Sequence, residues 1–195
     1  ACRIQKEYNF DLSYVDIGGG FFGGLDNKPQ FDDYLSLIKS ILNACFDSNK
    51  TTLVIEPGMA VVGSPISYVS TVIDVKNTEY NRFVITDGSR TSIDPLMTKS
   101  SYFYKCNRKD ILRRNIAKQV ICGYTCMEHD RLFEVFDDKE LLVGDTITYS
   151  KVGAYTMCLT PLFIKCFPDV YVKDGNEYEL VRESWGPEEF LLKSK

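Results

Sequence analysis

The chain has 195 residues, a formal net charge of −4 and a pI near 5.1. Hydrophobic residues make up 44% and charged residues 26% of it, a composition typical of a folded globular protein. Its acidic balance, without a basic block interleaved with aromatics, predicts no nucleic-acid partner, and its apolar runs are too short to predict a membrane span.

The seven cysteines are irregularly spaced. An odd number with this spacing argues against a disulfide framework and favours a reducing, cytoplasmic compartment. We therefore expect most of them to be small buried hydrophobic residues. The chain opens with Ala1-Cys2-Arg3, which we interpret as the last turns of a helix, and we expect a fragment of a longer chain or half of a split protein.

Residues 1–58 predict a helix end and then a strand–helix–strand unit. The apolar stretches 12–17 and 53–55 are nearly continuous, which is typical of buried strands. Between them, apolar residues recur every three or four positions from Phe31 to Phe46, and Pro29 suits a helix start. A helical crossover of this kind joins parallel strands.

From Ser64 onward the pattern changes to short alternating segments, which predict an antiparallel β-barrel or sandwich. The fold class is therefore α/β plus all-β, with domains over residues 1–62 and 63–195. Residues 110–116 are the one candidate helix in the second domain, and Asp174-Gly175 predicts a hairpin turn. The expected strands are 66–75, 82–86, 101–104, 119–122, 132–136, 146–150, 162–167, 170–173 and 178–181.

The three glycines Gly18, Gly19 and Gly20 directly follow the first strand. Glycine lets backbone N–H groups turn towards a ligand, and a nest of such groups binds anions, phosphate above all. With Gly23 they also satisfy the dinucleotide fingerprint. That interpretation is rejected because the helix begins late and because Glu56 lies 33 residues past Gly23 (56 − 23), where about 20 would be required.

An α/β barrel suits these residues better, because loops after its parallel strands share one face. Gly18–Gly20 and Glu56 each follow a strand, so they would lie together. A phosphate cradle facing a carboxylate suits a phosphorylated ring cofactor with a basic nitrogen. The alternative is that the glycines only form a tight turn and that Glu56 is a surface charge.

Five motifs in order resemble the C-terminal half of the pyridoxal-phosphate-dependent ornithine/diaminopimelate/arginine decarboxylase family, whose fold is that of the alanine racemase-like (fold type III) enzymes. They are Tyr14-Val-Asp-Ile-Gly-Gly-Gly-Phe, Ile55-Glu-Pro-Gly, Cys122-Gly-Tyr-Thr-Cys126, Gly144-Asp-Thr-Ile and Gly153-Ala-Tyr-Thr156. The resemblance implies that residues 1–62 are the last part of a pyridoxal-phosphate-binding (β/α)8 barrel and that the protein works as a homodimer with shared active sites.

The resemblance also implies roles for single residues. Glu56 would pair with the pyridine nitrogen, which makes the cofactor a stronger electron sink. Cys126 would be the catalytic acid, contributed across the dimer interface to return a proton after CO₂ is lost. The implied cofactor-binding residues are Gly18, Gly19, Gly20, Glu56, Gly58 and Tyr155.

Several positions depart from the family pattern. Met59 follows Glu-Pro-Gly where the family usually has Arg, and Met127 follows the reactive cysteine where the family commonly has an acid. Candidates for binding the substrate are therefore Glu128 and Asp130 nearby, and Asp94. Asp94 stands where diaminopimelate enzymes carry an Arg, and its charge would repel a substrate carboxylate.

The family's Schiff-base lysine and ring-stacking histidine lie on early barrel strands that residues 1–195 do not supply. We therefore expect the missing N-terminal half of the barrel as a partner, and no activity from this chain alone. The predicted function is part of an amino-acid decarboxylase for a basic or diamino acid, as in polyamine or lysine biosynthesis. The alternatives are a non-catalytic regulatory relative and a racemase-type enzyme. Cys122, Cys126 and His129 lack zinc-site spacing, so no metal is predicted.

Overall fold

The computed structural model describes residues 1–109 and 111–194. Among them, no helix has both the length and the apolar character needed to cross a membrane. The elements in chain order are α1 Cys2–Tyr8, β1 Tyr14–Asp16, α2 Phe31–Asn43, β2 Thr52–Val54, a π-helical turn Met59–Gly63, β3 Ser67–Asn77, β4 Arg82–Thr86, α3 Arg90–Ile93, β5 Phe103–Asn107, β6 Asn115–Cys122, a 3₁₀ turn Glu128–Asp130, β7 Arg131–Lys139, β8 Thr146–Ser150, β9 Val170–Asp174, β10 Glu177–Arg182 and α4 Pro187–Leu191.

The chain divides into two compact units. Unit 1 consists of Ala1–Ser70, Ser100–Lys109 and Asp145–Ala154, and unit 2 of the remaining described residues. β3 begins in unit 1 and ends in unit 2. The predicted division at residues 62 and 63 stays a prediction, because these units group residues by contact and are not continuous along the chain.

The predicted strand–helix–strand unit is confirmed. β1 and β2 pair in parallel, with Tyr14 opposite Thr52. The helix between them starts at Phe31, where Asp33 accepts a hydrogen bond from the backbone N–H of Gln30 at 2.8 Å. The expectation of buried strands is wrong within this chain, because all of β2 and most of β1 are exposed. Only these two strands pair in this sheet, so their faces are not covered by the apolar neighbours of a complete parallel sheet.

The large sheet has six strands in the order β5-β8-β3-β4-β6-β7, and β9 and β10 form a separate hairpin. The expectation of a wholly antiparallel sheet is wrong at one position, because β4 and β6 pair in parallel, with Arg82 opposite Gln119. The connection from β4 to β6 includes α3 and β5 and is long enough to return the chain in the same direction.

Two predicted elements differ from the structure. Residues 162–167 form a bend and irregular backbone rather than a strand. Pro161 and Pro168 flank this segment and cannot donate to a sheet, and Ile164 has a φ of 71°, which is incompatible with strand geometry. The candidate helix 110–116 is also wrong where the structure describes it, since β6 begins at Asn115; residue 110 lies outside the described residues.

Each unit has its own buried apolar residues. In unit 1 they are Phe21, Phe46, Ile147, Tyr149 and Val152. In unit 2 they come from α3, from the strands β3, β4, β6 and β7 and from Leu141, two residues after β7, and buried positions alternate along β4. These residues are Val72, Val84, Ile93, Val120, Ile121, Leu132, Val135 and Leu141.

The cysteines correct the expectation of unpaired, buried thiols. Cys2 and Cys45 form a disulfide with Cα atoms 5.7 Å apart, which links α1 to the residues after α2. Five of the seven cysteines are free, and each of these is half-buried or exposed rather than fully buried. Sequence spacing could not reveal the pair because it depends on how α1 and α2 lie within unit 1.

Candidate functional site

The glycine loop, residues 18–24, is anchored by one aromatic side chain. Phe21 is buried and makes edge-to-face contacts with Phe31 and Tyr34 of α2, with ring centroids 5.8 and 5.5 Å apart. The loop follows β1 directly and is therefore held at both ends, by the strand before it and by the helix that packs on Phe21.

The glycine loop and the residues after β2 approach each other through their backbones. The N–H of Glu56 donates to the carbonyl of Gly18 at 2.7 Å. A Cβ on Gly19 would lie 2.6 Å from the carbonyl oxygen of Glu56, which is closer than van der Waals contact permits. The structure thus brings together the predicted phosphate-binding glycines and the predicted ring-binding acid, and Gly19 has a steric reason to be glycine.

Two further glycines continue this contact along the π-helical turn. A Cβ on Gly23 would lie 2.6 Å from the carbonyl oxygen of Ala60, and one on Gly24 would lie 2.6 Å from the Cβ of Ser64. These residues were not predicted as part of the site. Gly23 lies four residues after Gly19, as Ala60 lies four residues after Glu56, but no comparable spacing relates Gly24 to Ser64.

The three predicted phosphate donors are not equivalent. The N–H of Gly18 donates to Oδ1 of Asp16 at 2.8 Å. The N–H groups of Gly19 and Gly20 donate to no acceptor among the described residues, and Gly20 adopts a φ of +86° with nothing within 4 Å of an added Cβ. Two unengaged donors next to open space form the part of the nest that an anion can reach.

Glu56 presents an exposed carboxylate that makes no hydrogen bond within the described part of the chain. Gly58 donates to the carbonyl of Glu56 at 2.9 Å and directly precedes the π-helical turn. Met59, the first residue of that turn, is 40% exposed and offers no charge for a phosphate. Met59 therefore lacks the electrostatic contribution that an arginine would make at this position.

These residues fit a phosphorylated cofactor with a basic ring nitrogen. Gly19 and Gly20 supply two free N–H donors, and Glu56 supplies an unpaired carboxylate from the adjacent loop. Any side chain at position 19 would clash with the backbone of Glu56 and push the two loops apart. Gly18 and Gly58, in contrast, use their N–H groups within the chain.

Tyr155, the remaining predicted cofactor residue, lies in unit 2. It is 52% exposed and has a φ of 65°, an uncommon conformation for an aromatic residue. Its carbonyl accepts hydrogen bonds from the backbone N–H of Leu159 at 3.1 Å and from the thiol of Cys158 at 3.2 Å. These bonds hold the left-handed backbone and leave the phenol ring exposed.

Cys126 lies in unit 2, in the Cys126 loop (residues 123–127), between β6 and the 3₁₀ turn. Its thiol side chain is exposed and lines an open cavity of about 310 Å³. Cys122 lines the same cavity, and burial raises the pKa of its thiol. The charged side chains around this cavity come from Lys76, Glu128 and Arg131, together with the buried Asp130.

The three candidate substrate acids occupy different environments. Glu128 is exposed at the cavity. Asp130 is 2% exposed, and both of its carboxylate oxygens accept hydrogen bonds from the protein. Asp94 is also 2% exposed, pairs with Arg90 at 3.1 Å and accepts from the N–H groups of residues 98 and 99. Of the three, only Glu128 has a carboxylate open to a ligand.

Sequence reasoning missed the residues that hold the Cys126 loop in place. Gly123 has a steric role, because an added Cβ would collide with the carboxylate of Asp130. Thr125 donates to that carboxylate through both its backbone N–H and its hydroxyl. The Gly-x-Thr pattern in front of the cysteine was the only signal, and it does not by itself identify its acceptor.

Family models match most of the chain. The pyridoxal-binding domain of pyridoxal-dependent decarboxylases matches residues 1–63, and the C-terminal sheet domain of the same enzymes matches residues 35–153. The second match covers more than half of the 195 residues. The cofactor of this family is pyridoxal phosphate, in agreement with the prediction.

Similar proteins include both enzymes and a protein named for inhibition. Antizyme inhibitor 2 of Xenopus laevis is 25% identical, covering 94% of this chain and 42% of its own length. Ornithine decarboxylase of Caenorhabditis elegans is 25% identical, covering 94% of this chain and 47% of its own length. Diaminopimelate decarboxylase of Helicobacter pylori is 29% identical, covering 74% of this chain and 35% of its own length. The chain thus spans less than half the length of these relatives.

Solved structures show the same fold at low identity. A diaminopimelate decarboxylase superposes with a TM-score of 0.76 at 19% identity, covering 98% of this chain and 49% of that one. The H. pylori enzyme complexed with L-lysine superposes with a TM-score of 0.71 at 22% identity, covering 97% of this chain and 46% of that one. The family models and these folds agree with the motifs and the glycine-loop geometry, and the chain belongs to the pyridoxal-dependent decarboxylase family.

Proposed function

We propose that the chain is the C-terminal portion of a pyridoxal-phosphate-dependent amino-acid decarboxylase of the cytoplasm, acting as a homodimer with shared active sites. The observation that carries this proposal is the contact between the glycine loop and Glu56, with two free N–H donors and a free carboxylate on adjacent loops. Residues 1–62 would complete a (β/α)8 barrel whose earlier strands supply the Schiff-base lysine, so the chain alone would be inactive.

When bound, the cofactor supplies a protonated pyridine ring that withdraws the electron pair left by departing CO₂. The N–H groups of Gly19 and Gly20 would bind the phosphate, and the carboxylate of Glu56 would hold the proton on the ring nitrogen. Tyr155 is proposed as a further cofactor-binding residue because its motif, Gly153-Ala-Tyr-Thr156, resembles that of the family. Met59 adds no charge at this site, so phosphate binding would depend on backbone donors more than in relatives with an arginine there.

Cys126 would supply the proton that replaces the lost carboxylate, acting in the partner's active site. Its thiol is exposed at a cavity large enough to admit a small side chain. A thiol is far more acidic than an alcohol and can donate a proton near neutral pH. The proposed substrate is a basic or diamino acid, because Glu128 at the same cavity offers an exposed carboxylate for a distal ammonium group.

The test uses the whole protein that contains this chain. We expect Cys126→Ser to lower turnover about a hundredfold while cofactor absorbance is retained, because the hydroxyl is a poor acid. Cys158→Ser is the matched control, since Cys158 is also an exposed free thiol and serine keeps its hydrogen bond to Tyr155. Turnover of the Cys126 variant at the level of the Cys158 variant would contradict the proposed acid.

A non-catalytic regulatory relative is the second candidate. Similarity to antizyme inhibitor 2 over 94% of this chain favours it, as do the methionines at positions 59 and 127. Titration of the whole protein with pyridoxal phosphate separates the two proposals. Saturable binding with turnover of an amino acid supports the enzyme, whereas no binding and no turnover support the regulator.

A further inference from the structure

We infer that Asp130 is a positioning residue that fixes the Cys126 loop and thereby the direction of its thiol. This inference rests on the proposed role of Cys126 as a proton donor. The sequence predicted a different role for Asp130, as a substrate-binding acid, and the contacts of its carboxylate argue against that role.

The carboxylate of Asp130 is buried and fully engaged by the protein. Oδ1 accepts from the hydroxyl of Ser89 at 3.0 Å and from the backbone N–H of Arg90 at 2.6 Å. Oδ2 accepts from the N–H of Thr125 at 3.0 Å and from its hydroxyl at 2.6 Å. A carboxylate with four donors and 2% exposure has no oxygen left for a substrate ammonium group.

The same carboxylate determines how closely the backbone of the Cys126 loop can approach Asp130. Gly123 packs so tightly against it that any Cβ would overlap its oxygens. The N–H of Gly123 also donates to the carbonyl of Asp130 at 2.8 Å, and the hydroxyl of Thr125 accepts from the N–H of Met127 at 3.3 Å. Asp130 thus contacts the loop on both sides of Tyr124 and immediately before the cysteine.

This arrangement matters because Cys126 itself is exposed and lines an open cavity. Packing therefore does little to fix the thiol, and its position depends on the backbone of the loop. A proton donor must reach about 3 Å from the atom that it protonates, and a displacement of about 1 Å can cost two orders of magnitude in rate. Asp130 would supply the required order without touching the reacting atoms.

The test compares three variants of the whole protein with one control. Asp130→Asn keeps the shape but faces two of the four donors with an NH₂ group. Thr125→Val removes a single hydroxyl donor, so it remains informative if Asp130→Asn does not fold. Gly123→Ala displaces the loop and leaves the carboxylate intact. The control is Asp137→Asn, an exposed residue of β7 whose φ of 48° asparagine adopts readily.

We expect faster hydrogen exchange in peptide 119–131 of each variant, by about tenfold at the Thr125 amide, and wild-type exchange in the control. We also expect kcat to fall about tenfold or more, with KM and cofactor affinity within about threefold of wild type. If Asp130 only stabilised the fold, kcat, KM and cofactor affinity would all change together. Wild-type exchange in peptide 119–131 of Asp130→Asn would overturn the inference.

A double-mutant cycle separates this inference from the proposed function. If Asp130 acts through Cys126, Asp130→Asn lowers kcat in the wild-type background and has little further effect in the Cys126→Ser background. Independent, multiplying effects would overturn the positioning role while leaving Cys126 as the acid. Unchanged turnover in Cys126→Ser would instead reject the acid, and accelerated exchange in Asp130→Asn would still show that Asp130 holds the loop.

Discussion

The glycine loop and the Cys126 loop each follow a strand, but different contacts hold them. The glycine loop is fixed by one buried ring, Phe21, and by backbone contacts so close that Gly19 must lack a side chain. The Cys126 loop is fixed by one buried carboxylate, Asp130, which accepts four hydrogen bonds. The glycine loop leaves the N–H donors of Gly19 and Gly20 open, whereas the Cys126 loop engages both carboxylate oxygens of Asp130.

This difference matches what each loop is proposed to do. A phosphate has to be met by unengaged N–H groups, so a loop held by steric contact keeps those donors available. A proton donor has to be held in one direction, so a loop held by a saturated carboxylate keeps the backbone in place. Buried charge in unit 2 is not limited to Asp130, since Arg82 and Glu140 are also buried there.

The largest effect is expected where buried charge stabilises the sheet of unit 2. Glu140 is 8% exposed and pairs with Arg82 at 3.5 Å and with Arg114 at 2.9 Å. Glu140→Gln leaves the buried Arg82 without a counter-ion, so we expect a loss of about 3 kcal/mol in the free energy of unfolding, measured by chemical denaturation. Glu134→Gln is the control, because its pair with Lys118 is partly exposed and should contribute less than about 1 kcal/mol.

If Glu140→Gln and Glu134→Gln lowered the free energy of unfolding equally, burial of the ion pair would not explain its contribution.

A smaller effect is expected when a side chain is introduced between the backbones of the glycine loop and Glu56. Gly19→Ala places a Cβ against the carbonyl oxygen of Glu56, and overpacking of this kind costs about 2 kcal/mol. We expect the affinity of the whole protein for pyridoxal phosphate to fall about thirtyfold. The control is Gly186→Ala, where the nearest atom to a Cβ lies 3.5 Å away, and its affinity should not change.

Tight cofactor binding by Gly19→Ala would show that the glycine loop can separate from Glu56 without loss.

The smallest expected effect is a pH dependence of the free energy of unfolding, which arises from Glu140 in unit 2. Hydrogen bonding to Arg114 is the main reason that the pKa of Glu140 lies below its ordinary value. A carboxyl with a lower pKa in the folded state stabilises the protein above its unfolded pKa of about 4.3, and that contribution disappears as the pH falls through the folded pKa. We expect the difference in stability between wild type and Glu140→Gln to narrow from pH 7 to pH 3.

Denaturation curves at several pH values measure this difference, and a gap that stays constant down to pH 3 would assign the stabilisation to packing instead of charge.

Much of the local structure could be predicted from the sequence. The bounds of β4 and β8 were predicted residue for residue, because short alternating runs between turn residues allow few other interpretations. The predicted segment 162–167 failed because an apolar run does not report the positive φ of Ile164. The parallel pairing of β4 and β6 was also missed, since alternation is the same in either direction.

The sequence by itself determined the family, the cofactor and the elements that carry Gly18–Gly20, Glu56 and Cys126. Each motif is local, because it depends on residue types within a few positions of one another, and the order of the five motifs along the chain indicates the family. Only the tertiary structure decided that Gly19 and Gly20 keep free donors, that Cys2 pairs with Cys45 and that Asp130 is buried against Gly123. These features arise from contacts between distant segments, which a single sequence does not encode in any short pattern.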